Sequence, residues 1–219
     1  MTDTASISLA KRRDAILAEL AKAASPPPCL VAVSKTQPDE KIDAMLATGQ
    51  RVFGENRVQE AQAHWAERRA LYPDLELRLI GPLQTNKAED AVALFAVIET
   101  LDRDKLARAL AKAVEKAGRA PRIFIQVNTG EEPQKAGVTP DGLEALLKVA
   151  VGECGLDVQG LMCIPPVDEP AGPHFALLAK LARRHGLTGL SMGMSGDYAL
   201  AASLGATHVR VGTALFGAR

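Results

Sequence analysis

The first residue in this chain placed to do chemistry is Lys35. It follows an apolar run, Cys29-Leu30-Val31-Ala32-Val33, and one serine. A lysine at the end of such a run starts its stem inside an apolar layer. Partial removal from water disfavours an ammonium and favours a neutral amine, which can attack a carbonyl and form a Schiff base. The competing reading is a lysine that snorkels to solvent from a strand end. Position alone favours that second reading.

Two glycine-bearing turns form the second feature. Ser191-Met192-Gly193-Met194-Ser195-Gly196 brings two glycines and two hydroxyls to the start of a helix. Arg210-Val211-Gly212-Thr213 does the same before a short terminal segment. Backbone N–H groups at helix starts, opened to close approach by glycine, bind phosphate. One such turn is weak evidence, since glycine also makes ordinary tight turns. Two with hydroxyls favour a phosphate site.

Other candidates carry less. Glu55 and Asn56 read either as ligands or as the start of a capped helix. Asn86 and Lys87 read as a helix start and a solvated charge. His64, His174, His185 and His208 have no metal-ligand spacing, and His64 and His185 fall on predicted helices as surface residues. Cys163 reads as a small buried residue. Trp65 and Leu71 read as helix packing. No Ser-His-Asp set, carboxylate pair or HExxH motif appears.

The elements that must position these residues alternate strictly. A helix over 5–24 comes first, ended by Pro26-Pro27-Pro28. Apolar strand segments follow at 29–33, 51–54, 77–81, 95–99, 122–127, 157–162, 189–192 and 208–211. Helical periodicity fills the stretches between them, at 37–49, 56–71, 87–94, 102–117, from Thr139-Pro140 to about 150, 173–185 and 195–204. Continuous apolar strands suit a parallel sheet buried on both faces. Eight βα units favour a (β/α)8 TIM barrel with one extra N-terminal helix, read as a single domain over 1–219. An open Rossmann-like sheet would want GxGxxG after its first strand, where this chain has Ser34-Lys35-Thr36. In a barrel the strand carboxyl ends carry the chemistry, and Lys35 and both glycine turns fall there.

Composition narrows the setting. The chain has 219 residues, with 26 Lys+Arg against 26 Asp+Glu. Zero net charge gives no reason to expect nucleic acid or an acidic membrane surface as partner. No apolar run is long enough to span a bilayer, and the start does not read as a signal peptide. Three scattered cysteines exclude a disulfide framework, so a cytoplasmic setting is expected. With no obvious exposed apolar stripe, a monomer is expected.

Read together, these rims resemble the YggS/PROSC family of pyridoxal phosphate homeostasis proteins. The resemblance rests on Val31-Ala32-Val33-Ser34-Lys35-Thr36, Phe53-Gly54-Glu55-Asn56-Arg57-Val58-Gln59-Glu60, Ile80-Gly81-Pro82-Leu83-Gln84-Thr85-Asn86-Lys87 and Gly160-Leu161-Met162. It is most specific over 190–197 and 209–217, and covers nearly all of the chain from residue 29. It implies a barrel like the amino-terminal domain of alanine racemase, the type III pyridoxal phosphate (PLP) fold, with PLP at its mouth. It implies Lys35 as the Schiff-base lysine. Ser195, Gly212 and Thr213 would hold the phosphate, Arg210 would face the pyridine nitrogen, and Asn56 would neighbour the ring. Two positions depart from the family pattern. Pro82 stands where His is common, and Gly196 where a polar or acidic residue is common.

An arginine facing the pyridine nitrogen disfavours its protonation, which makes the ring a weaker electron sink. The chain ends soon after its eighth strand, so the second domain that completes a racemase site is expected to be absent. The resemblance therefore implies a protein that holds, buffers or delivers PLP to apo-enzymes with little turnover. The alternatives are a small racemase-like PLP enzyme, a class I aldolase-like barrel and a purely regulatory PLP sensor.

Overall fold

The computed structural model describes residues 4–217, so both ends of the domain expected over 1–219 lie outside that range. α1 (Thr4–Ala23) is followed by β1 (Cys29–Val33), α2 (Asp39–Ala47), β2 (Val52–Glu55), α3 (Val58–Trp65), α4 (Arg68–Leu71) and β3 (Glu76–Leu79). Next come α5 (Ala88–Leu94), β4 (Val97–Leu101), α6 (Asp104–Ala117), β5 (Arg122–Gln126), α7 (Leu143–Leu147) and β6 (Val158–Met162). The chain closes with α8 (Ala171–Arg184), β7 (Gly189–Ser191), α9 (Tyr198–Ser203), β8 (His208–Val211) and α10 (Thr213–Phe216).

The strands form a closed barrel in chain order, each parallel to its neighbours, with β8 pairing back onto β1. This is the expected (β/α)8 architecture. α1 packs against α2, α9 and α10, where Leu9, Ile16 and Leu20 are buried. It thereby covers the seam between the first and last units.

Four local details depart from the periodicity. β4 begins two residues later than expected. The Phe95 N–H closes α5 on the Ala91 carbonyl, so Phe95 is the cap of that helix. The helix expected over 56–71 breaks after Trp65 into α3 and α4, and Leu71 is 73% exposed, so it is not a packing residue. α7 passes into a π-helical turn at Lys148–Glu153. α9 starts three residues late because Met194–Asp197 forms a turn, with the Met194 N–H donating to Asp197 Oδ1 at 2.6 Å.

The apolar core lies mostly between barrel and helices. Inside the barrel, Val97, Phe124 and Met162 form a separate small cluster. Beside it the barrel is filled with charge. Arg78, Glu99, Ser191 and Arg210 are all buried.

Candidate functional site

All six residues singled out for cofactor contact line one cleft at the carboxyl ends of the strands. Lys35, Asn56, Ser195, Arg210, Gly212 and Thr213 surround a volume of about 360 Å³. Val33, Ile80, Ile164 and Met194 supply apolar walls. Lys35 stands in the turn after β1, half-buried, with no carboxylate partner among the described residues. Asn56 follows β2. The loop after β3 presses against its backbone, and a Cβ on Gly81 would lie 2.3 Å from the Asn56 carbonyl oxygen. Only glycine permits that approach.

One end of the cleft is built for an anion. Among the described residues, the backbone N–H groups of Ser195, Gly196 and Gly212 donate to no acceptor. Thr213 opens α10, so its N–H has no partner within that helix. Ser195 Oγ accepts the Ala214 N–H at 3.2 Å, which ties the two turns together. Gly193, at φ +90°, makes the turn that delivers Ser195. These convergent donors fit a phosphate.

Another wall is a fixed guanidinium. Arg210 Nη1 donates to Ser191 Oγ at 2.8 Å, and Nη2 to the Cys163 carbonyl at 2.8 Å. Ser191 Oγ in turn donates to Glu99 Oε2 at 2.5 Å. Glu99 Oε1 accepts Arg78 Nε at 2.5 Å. Arg78 also pairs with Glu76, which binds Arg122 at the far end of the barrel. Burial alone would raise the Glu99 carboxyl, but Arg78 and Arg210 outweigh it and hold it below the usual carboxylate range. A chain of alternating charge therefore runs through the barrel and ends at Arg210. Arg78 Nη2 has no hydrogen-bond partner, and the guanidinium lies 5.2 Å from the centre of the Phe124 ring.

The hydroxyl of Ser191 was expected with Ser195 at the helix start. It faces the barrel interior instead and is fully buried. Ser191 is the last residue of β7 and points inward from the strand, whereas Ser195 lies four residues on, in the turn before α9. Cys163 is the small buried residue expected, its thiol pushed up to about 12 by burial. Pro82 is exposed and does not line the cleft. Gly196 does line it, and a Cβ there would meet nothing within 4 Å, so the polar residue common at that place has room.

Glu55 is fully buried and its Oε1 accepts from Ser34 Oγ at 2.6 Å and Trp65 Nε1 at 3.0 Å. His64 Nδ1 lies 3.2 Å from the same oxygen. Glu55, Glu60 and His64 bring ligand-type atoms within 4.8 Å of one another, a cluster that chain spacing had concealed. Glu60 is also engaged, by the Thr36 N–H. These partners make the cluster a buttress beneath Lys35. No signal in the sequence linked Glu99 or Arg78 to the site, because their partners lie on other strands.

A half-buried amine, an anion cradle and a fixed guanidinium around one apolar slot fit PLP by donor chemistry. Comparison with known proteins agrees. The family described as alanine racemase, N-terminal domain, matches residues 13–219. The pyridoxal phosphate homeostasis protein of Pseudomonas aeruginosa is 42% identical over 210 residues, covering 92% of this chain and 90% of that one. PipY of Synechococcus elongatus, solved with PLP bound, is 40% identical, with a TM-score of 0.84 over 95% of this chain and 100% of that one. Alanine racemase of Bartonella henselae shares the fold alone, at 15% identity and a TM-score of 0.75 over 98% of this chain and 61% of that one. The chain belongs to the alanine racemase N-terminal domain family, alongside the pyridoxal phosphate homeostasis proteins.

Proposed function

We propose that this protein binds PLP through Lys35 and serves PLP homeostasis, holding the cofactor and delivering it to apo-enzymes with little turnover of its own. The observation that carries the reading is the convergence of all six residues on one cleft. Bound through its aldehyde, PLP offers a reversible covalent bond to an amine and an electron sink when its ring is protonated. Lys35 is the amine. The amides and hydroxyls of Ser195, Gly212 and Thr213 hold the phosphate, and Asn56 flanks the ring. Arg210 faces the ring nitrogen. Its two contacts and the carboxylate behind Ser191 fix its position. Its positive charge keeps a proton off the ring nitrogen.

Tyr198 is not poised as the second base that a racemase would need. Tyr198, three residues past Ser195, donates its hydroxyl to Glu19 of α1. Burial and that carboxylate push its phenol up to about 12, still further from losing its proton near neutral pH than an ordinary tyrosine. A cytoplasmic monomer suits a carrier. No helix among the described residues is long and apolar enough to cross a membrane.

The test is a PLP titration followed by transfer. Wild type should develop a visible absorbance band and then reactivate an added apo-enzyme. Lys35→Ala should do neither through that band. A Lys35→Ala protein with an unchanged band, or rapid Lys35-dependent α-proton exchange on amino acids in deuterated water, contradicts the proposal.

A further inference from the structure

We propose that Glu55 and Glu60 are positioning residues for Lys35, gripping the turn that carries it from both flanks; this rests on the reading of Lys35 as the cofactor lysine. The turn runs from Ser34 to Gln37 and is closed by the Gln37 N–H donating to the Ser34 carbonyl at 3.0 Å. Lys35 sits at its crest. On one flank, Ser34 is fully buried and its hydroxyl donates to Glu55 Oε1 at 2.6 Å. Glu55 cannot yield, because its oxygen also takes the indole N–H of Trp65 at 3.0 Å. Trp65 is itself fully buried and leans on the Phe53 ring at 4.7 Å between centres.

The other flank is less secure by itself. Thr36 has φ +60°, a left-handed conformation that a β-branched side chain disfavours. Turns of this kind take glycine there. Thr36 is held by its N–H, which donates to a Glu60 carboxylate oxygen. Charge-assisted bonds of this type are among the stronger ones a surface loop can make. Glu55 ends β2 and Glu60 lies in the first turn of α3, so one βα unit supplies both grips and also delivers Asn56 to the cleft. Unlike Glu55, Glu60 is half-buried and Thr36 exposed, so the outer grip can be removed with little loss of packing. Releasing it lets Thr36 leave the left-handed region and swings Lys35 away from the anion end. The outer grip therefore sets how long PLP is kept.

The test uses full-length protein with PLP and two readouts. One is the rate of PLP release into an excess of a PLP-scavenging apo-enzyme. The other is the rate of reductive methylation of Lys35 in cofactor-free protein, read by peptide mass spectrometry. Glu60→Ala should release PLP about tenfold faster and change the methylation rate by a similar factor. Glu60→Gln, which keeps an acceptor but loses the charge, should fall between wild type and Glu60→Ala in both readouts. Thr36→Gly, which needs no grip, should bring Glu60→Ala back toward wild type. A Glu60→Ala protein that matches wild type in both readouts overturns the proposal, as does one that Thr36→Gly fails to rescue. A Lys35→Ala control that still binds PLP as wild type does contradicts the cofactor reading instead.

Discussion

Ser195 serves the cleft twice. Its N–H is free to meet an anion, and its hydroxyl accepts the Ala214 N–H from the other turn. Ser195→Ala loosens the tie between the two turns and, under the proposed function, removes a phosphate contact. Bonds to charged groups are worth about 1.5–3 kcal/mol, so PLP affinity should fall by about tenfold or more, measured by equilibrium titration. Lys35 was legible as chemistry in the sequence because it stands at the end of an apolar run, and Ser195, Gly212 and Thr213 because they fall in two glycine-bearing turns with hydroxyls. Arg210 and Asn56 took their roles from the family resemblance. Ser191 was legible only as a hydroxyl. Its partner, Glu99, is 92 residues away, and no local pattern joins them.

At the scale of elements, the loop between β7 and α9 decides the shape of the anion cradle. Gly193 holds φ +90°, and a Cβ there would lie 2.5 Å from the Cβ of Ala201 in α9. Gly193→Ala combines a strained backbone with a clash, so it should cost more than about 1 kcal/mol of stability. It should also weaken PLP binding by displacing Ser195. Thermal melting and titration on the same sample check both effects. The order and number of strands were legible because parallel strands buried on two faces read as apolar runs. The ends were not. Phe95 is apolar and buried whether it ends a helix or starts a strand, so hydropathy alone could not locate the start of β4. The π-helical turn over Lys148–Glu153 has no period signal of its own at all.

For the whole molecule, a barrel filled partly with charge should be sensitive to acid. His208, near the far end of the barrel, is pushed down to about 4 by burial and by Arg78. The unfolded chain takes up a proton near 6.5 that the folded one refuses until about 4, so stability falls as pH drops through that window. The gap is worth roughly 3 kcal/mol by pH 4. Burial would raise the carboxyls of Glu99 and Glu76, but their arginine partners depress both. Their contribution is full above the ordinary carboxylate range and is lost at still lower pH. Urea midpoints should therefore drop between pH 7 and pH 4.5, and His208→Gln should flatten that drop. A wild-type midpoint unchanged over the range contradicts this assignment. The charged chain from Arg122 to Arg210 was illegible in the sequence, because Arg78 and Glu99 look like ordinary polar interruptions of short strands.

Borohydride reduction of the PLP-loaded protein, followed by peptide mapping, tests the central claim most directly. The cofactor should be found on the peptide containing Lys35 and nowhere else at stoichiometric occupancy. Stoichiometric label on any other lysine, with Lys35 unmodified, would contradict the account.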